Sequence, residues 1–213
     1  MMINRLLLPI LAAAALMAAS CESLDYNPGN QMSDATFWNS GGVQNHWQYL
    51  YELVHRCNTV IRHVPGMPVS PETIARVTGE ARFLRAMAYF RMLQCWGGVP
   101  YYDETCDINK EFATLSNPRI SADELRGHII DDLTEAIASL PVRWEAADLG
   151  RATRGAAYAL RGKVYLFAGM WEEAKADFDE IVYNRHADYG YALHPDYDEL
   201  FRLYNGRHSD EMI

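Results

Sequence analysis

The sequence is poor in positive charge and has no run of it. Across 213 residues, 19 Lys and Arg stand against 28 Asp and Glu, a formal net charge of −9. Phosphate backbones are gripped by clustered Lys and Arg, so nucleic acid is excluded as a main partner. Cysteine is scarce too: four residues with no Cys-x-x-Cys pair, which excludes a disulfide framework and a structural zinc site. Nine prolines and fourteen glycines are too few for a disordered or collagen-like chain. No GxSxG, P-loop, GxGxxG or HExxH pattern occurs, so the common signatures of acyl, phosphoryl, dinucleotide and metalloprotease chemistry are missing. Neither a metal nor a cofactor is called for. What remains is an acidic, half-apolar chain of a length suited to one domain.

The N-terminus reads as an export signal with a lipid anchor. Arg5 supplies the positive start, and Leu6–Ala19 then carry no charge. That run suits a signal peptide over residues 1–20 and is short for a bilayer span. It ends Ala18-Ala19-Ser20-Cys21, small residues abutting a cysteine, which resembles a bacterial lipobox with Cys21 as the acylated residue. The alternative is ordinary cleavage that leaves Cys21 a free thiol. Several acyl chains hold a protein to a membrane far more firmly than one. Of the other cysteines, Cys95 and Cys106 flank a loop and could pair in an oxidising compartment. Otherwise Cys57, Cys95 and Cys106 are three small buried apolar side chains.

Residues 21–45 are polar and rich in Gly, Asn and Ser, a tether and lead-in loop. Residues 46–213 form the helical part. Trp47, Leu50, Tyr51, Val54, Cys57 and Ile61 recur at three- and four-residue spacing, which predicts a helix over His46–His63 stopped by Val64-Pro65-Gly66. Ser70-Pro71 is a cap followed by proline at the first helical position. The helix it opens, running to about Gln94, is apolar around most of its circumference (Ile74, Val77, Ala81, Phe83, Leu84, Met87, Ala88, Phe90, Leu93) and therefore central. Gly97-Gly98-Val99-Pro100 breaks it. Ser121-Ala122-Asp123-Glu124 fits a capping box, and Leu125, Ile129, Leu133, Ala136, Ile137 and Leu140 follow as a stripe. Two more helices are expected at about Ala152–Ala168 and Trp171–Asn184. No alternating β-branched run predicts a strand. The fold class is all-α, built of antiparallel helix pairs with long irregular loops.

Gly162, Tyr165, Gly169, Trp171, Ala174 and Phe178 match the small/large pattern of a tetratricopeptide repeat. Small residues let two antiparallel helices approach, and aromatics fill the groove beside them. Leu133, Ala136 and Pro141 stand at the same offsets as Phe178, Ile181 and His186. A glycine inside a helix costs about 1 kcal/mol relative to alanine, so Gly162 is expected at a close helix–helix contact.

The string from Glu80 to Arg91 (EARFLRAMAYFR), then Trp96-Gly97-Gly98-Val99-Pro100-Tyr101, then Arg151 to Leu166 (RATRGAAYALRGKVYL), resembles the signature of the RagB/SusD family. Asp34–Ser40 and Tyr51–Asn58 resemble its N-terminal segments. The resemblance implies a lipoprotein of the outer membrane in Bacteroidetes-type bacteria, tetratricopeptide-like in build. It implies an oligosaccharide or other nutrient as ligand, and a SusC-like TonB-dependent outer-membrane transporter as partner. Two departures stand out. Only Gly41–Trp47 separate the segments at Ser40 and Gln48 onward, where relatives carry a further helical stretch. The chain also stops inside what resembles a conserved segment at Ser209–Ile213, so a shortened version is expected. No ligand-binding residue is carried over.

Two constellations invite a chemical reading. His55 and His63 are eight apart, which does not suit a shared metal face, and they read as surface residues. Asp131, Asp132 and Glu135 contain the residue types of a glycosidase pair, but hydrolysis needs carboxyls facing each other across a cleft. On one helix they read as a solvated face, and no enzyme activity is expected. Trp96, Tyr101 and Tyr102 flank one loop, while Tyr189, Tyr191, Tyr197, Phe201 and Tyr204 crowd the C-terminal stretch. They are either stacking planes for sugar rings or packing surface. Two functions follow: a glycan-binding surface lipoprotein serving a transporter, or a tetratricopeptide scaffold lipoprotein in outer-membrane assembly with no small ligand.

Overall fold

A computed structural model describes residues 42–106, 118–193 and 195–200, nearly all within one compact unit, His46–Ile213. Five principal helices carry it: α1 (Gly42–His63), α2 (Pro71–Trp96), α3 (Ala122–Ser139), α4 (Arg154–Phe167) and α5 (Trp171–Asp179). Two single-turn helices follow, α6 (His186–Tyr189) and α7 (Tyr197–Leu200). Among the described residues there is no strand, and Pro100 and Arg119 make only an isolated antiparallel bridge. No described helix is long and apolar enough to cross a membrane.

The helix starts follow from local chemistry. The first N–H groups of a helix lack internal partners and are satisfied by a side-chain oxygen placed just before it. Ser70 accepts from the Thr73 amide at 3.2 Å, Ser121 from Glu124 at 3.1 Å, and Thr153 from Ala156 at 3.1 Å. Helix α2 ends where Gly97 turns to φ 70°, and α4 ends before Gly169 at φ 74°, conformations that favour glycine.

Three boundaries differ from the sequence reading. Helix α1 begins at Gly42, inside the segment assigned to the tether. A helix's first turn need not carry the apolar stripe that betrays the rest, and glycine is well tolerated at its start. Helix α2 extends to Trp96. The helix expected through Asn184 is α-helical only to Asp179, and Glu180–Asn184 form a wider π turn.

Helix α2 is central, as its composition predicts. Its Ala86, Ala88, Tyr89, Phe90, Met92 and Leu93 form one core with Val54 of α1, Leu125, Ile129 and Leu133 of α3, and Val164 of α4. Leu84 and Met87, assigned to its buried surface, are instead exposed. Ala136, Leu140 and Ala157 extend the core between α3 and α4.

Helices α4 and α5 form the expected hairpin. A Cβ built on Gly162 would lie 2.8 Å from the Phe178 ring, so the glycine does mark a close contact. Ala174 is buried beside it. Trp171 is not a groove filler: it stands 65% exposed. The hairpin is locked by Arg161, whose Nε and Nη2 donate to Asp177 at 2.9 and 2.7 Å. Its Nη1 reaches Thr134 of α3 at 2.8 Å.

Candidate functional site

Helix α2 carries a charge where its pattern is most apolar. Arg85 is 2% exposed. Burying a guanidinium is costly unless it is paired and hydrogen-bonded, and here each of its three nitrogens is answered. Its Nε and Nη2 donate to the two carboxylate oxygens of Asp132, each at 2.7 Å. Its Nη1 donates to Asn58 Oδ1 and to Glu104 Oε2, both at 2.7 Å. Arg82, one turn earlier, adds a 3.1 Å contact to Asp132. Burial pushes the Arg85 pKa down, and the Asp132 carboxylate more than restores it, so the side chain stays charged.

Asp132 is therefore no part of a solvated face. It is buried, whereas Asp131 and Glu135 are exposed. The reason is geometric: Asp132 is next to Leu133 on the edge of the α3 stripe, where Arg85 waits. A carboxylate with both oxygens held by one guanidinium is a structural anchor.

Around this hub the loop Gly97–Cys106 is drawn onto the helices by its backbone. Pro100 O accepts from the Tyr51 hydroxyl at 2.7 Å. Tyr102 O accepts from Asn58 Nδ2 at 2.9 Å and from the Tyr89 hydroxyl at 3.0 Å, while the Tyr102 amide donates back to Tyr89 at 2.8 Å. Arg62 of α1 donates to the carbonyls of Glu104 and Cys106. Burial pushes both the Tyr51 and Tyr89 phenols well above their ordinary range, so both stay neutral donors. At the other edge Arg119 donates to the carbonyls of Trp96 and Gly98, each at 2.7 Å.

The loop aromatics serve this packing. Trp96 meets Trp47 edge-on at 5.1 Å, and Tyr102 meets Tyr51 edge-on at 5.8 Å. Tyr101 lies flat on His128 at 4.0 Å and against Tyr89 at 5.0 Å. In the C-terminal group, Tyr189 is buried and stacks on Tyr191 at 5.9 Å, while Tyr197 is exposed. Phe201 and Tyr204 lie outside the described residues, as does Cys21.

Of the remaining candidates, Cys57 and Cys95 are free thiols, so Cys95 does not pair with Cys106. Cys57 fits the buried assignment, and burial pushes its pKa up to about 11. Cys95 does not fit it: the last turn of α2 leaves it exposed. His63 is exposed and His55 half-buried, and no described group of His, Cys, Asp and Glu could hold a metal ion. A shallow, open depression of about 340 Å³ lies between α2 and α4, lined by Phe90, Gln94, Lys163, Leu166 and Phe167.

Asn58, Arg82 and Arg85 lie in segments with recognisable patterns, but nothing in those patterns shows that they gather with Asp132 in one network. The available signal is Arg85 on the same helix face as the apolar Ala81, Ala88 and Tyr89, since a charge in such a setting demands a buried partner of opposite sign.

Comparison with known proteins decides the family. The model described as "Starch-binding associating with outer membrane" matches residues 14–166. The chain belongs to the SusD-like family. A SusD-like protein of Bacteroides ovatus is 29% identical over 201 residues, covering 88% of this chain and 36% of the relative. The starch-binding protein SusD of Bacteroides thetaiotaomicron is 28% identical over 182 residues, covering 82% and 30%. Among solved structures, a laminarin-binding SusD-like protein superposes with a TM-score of 0.70 at 31% identity, covering 77% of this chain and 35% of that one. Surface glycan-binding protein A of Bacteroides thetaiotaomicron, in complex with laminarihexaose, gives 0.66 at 26%, covering 79% and 34%. This SusD-like chain thus spans about a third of the length of the curated relatives it matches.

Proposed function

We propose that this chain serves a lipid-anchored, surface-exposed protein of the outer membrane that binds glycan and works with a SusC-like TonB-dependent transporter in polysaccharide uptake. The observation that carries this reading is the family match over residues 14–166. Relatives whose names state starch or laminarin binding agree with it. In this reading the described helices are the scaffold. Trp96, Tyr101 and Tyr102 are engaged with Trp47, Tyr51, Tyr89 and His128, so the residues that would stack on sugar lie elsewhere. Binding, not catalysis, is the activity. Residues 1–20 are the export signal, residues 21–41 the tether, and Cys21 the acylated residue. The scaffold-only alternative has the Gly162–Phe178 hairpin in its favour, but that geometry belongs equally to the SusD-like scaffold.

One experiment separates the two. Tagged chain, expressed in a Bacteroidetes host, is purified from solubilised outer membranes beside Cys21→Ala. The wild type is expected in the membrane fraction together with a TonB-dependent receptor, and Cys21→Ala is expected in soluble or uncleaved form. Unchanged membrane partition and mass in the variant would contradict the anchor. Capture of assembly factors without a receptor would favour the scaffold reading.

A further inference from the structure

We propose that the depression between α2 and α4 is a binding site for an acidic sugar, one that carries a carboxylate or a sulfate. This deepens the glycan-binding reading above and rests on it. The depression is lined by Phe90, Gln94, Lys163, Leu166 and Phe167. No acidic side chain lines it, although the chain as a whole carries a formal net charge of −9.

The cations here are unlike the others. Among the described residues, every Lys and Arg except Arg91 and Lys163 has an ion pair, a hydrogen bond or a ring contact. Those two belong to one place. Lys163 lines the depression, and Arg91 is exposed one turn before Gln94, a spacing that sets the two on one face of α2. A pair of unengaged cations beside an apolar hollow calls for a ligand with both an anionic group and an apolar surface.

Phe167 supplies the plane. It is 55% exposed, yet its ring is set perpendicular to Phe90 at a centroid distance of 5.8 Å, so the orientation is fixed before any ligand arrives. The C–H face of a sugar stacks on such a ring, the Gln94 amide both donates to and accepts from hydroxyls, and Lys163 and Arg91 give charge-assisted hydrogen bonds to the acid group. The volume of about 340 Å³ is at the low end for a small-ligand site. A neutral glucan leaves both cations unused. A protein partner fits less well, since interface cores are depleted in Lys and a stable interface covers about 800 Å² on each side.

Amide-resolved NMR titration of the full chain tests this. The probes are trigalacturonate, a sulfated galactan tetrasaccharide and neutral maltotriose. Saturable shifts at Gln94, Lys163 and Phe167 are expected with at least one acidic probe, at about millimolar affinity, and none with maltotriose; the probe that binds names the acid group. Lys163→Met keeps the aliphatic stem and should weaken binding about fivefold, the size of one exposed ion pair. Phe167→Ala should weaken it about tenfold, the size of one aromatic contact. Signals away from the site that match the wild type show that each variant is folded. No saturable shift with either acidic probe, equal shifts with maltotriose, or wild-type affinity in either variant would overturn the proposal. Self-association that Phe167→Ala abolishes, with no sugar shift, would make the depression a protein-docking face and overturn it too. None of these outcomes bears on the membrane and receptor experiment above, so this site and the broader reading fail separately.

Discussion

Replacing Arg85 with alanine is expected to destabilise the fold by about 3 kcal/mol, from the range found when one partner of a buried ion pair is removed. The substitution strands Asp132, whose two carboxylate oxygens both rest on Arg85, and it leaves Asn58 Oδ1 without its donor. Arg82 keeps a 3.1 Å contact to Asp132, which places the cost at the lower end of that range. Domains are stable by only about 5–15 kcal/mol, so the loss is a large share of the total. The companion variant Arg85→Met/Asp132→Leu removes both charges and should recover most of it. Urea unfolding of the three proteins is the check. A single variant within 0.5 kcal/mol of wild type, about the size of an ordinary surface change, would show that the pair is not structural.

The second large effect is at Gly98. A Cβ there would lie 2.0 Å from the Ile120 carbonyl oxygen and 3.1 Å from the Ile120 and Ser121 carbonyl carbons. These are backbone atoms just before α3, so no side-chain rotation relieves the clash. Gly98→Ala must separate the loop from the α3 start, straining the Ile120 amide bond to Val99 O at 3.2 Å and the Arg119 contact to Gly98 O. Overpacking of this kind costs about 1–3 kcal/mol, occasionally more, and the upper end is expected. Gly127 of α3 is the control. It has open space around its Cβ position and no positive φ, so Gly127→Ala should cost less than Gly98→Ala. Equal denaturation midpoints for the two variants would contradict the argument.

The sequence reveals those features that depend on local pattern. The stripe Leu125, Ile129, Leu133, Ala136 and Leu140 is buried as its period requires, and the caps Ser70 and Ser121 act as their positions predict. Gly162 was legible because a glycine within a good helical pattern needs a packing reason, and Phe178 supplies it. The hub was not legible. Asn58, Arg85, Glu104 and Asp132 are far apart in the chain, and periodicity says which face a residue occupies but not which distant partner it meets. Asp132 reads wrongly for that reason, since beside Asp131 and Glu135 it looks like one more solvated carboxylate, yet it is buried. Cys95 shows the converse error. A small apolar residue near a helix end reads as inward-facing, and the final turn of α2 leaves it outside.

The central claim is that the loop aromatics Trp96, Tyr101 and Tyr102 hold the scaffold together and do not form a sugar platform. Isothermal titration of the full chain with starch, laminarin and xyloglucan tests it most directly. Trp96, Tyr101 and Tyr102 are committed to ring contacts within the fold, and a binding surface displaced by about 1 Å loses its function. No saturable heat is therefore expected. A clean isotherm of micromolar affinity or tighter, about 8 kcal/mol of binding free energy, would contradict the claim and place a working glycan site within this chain.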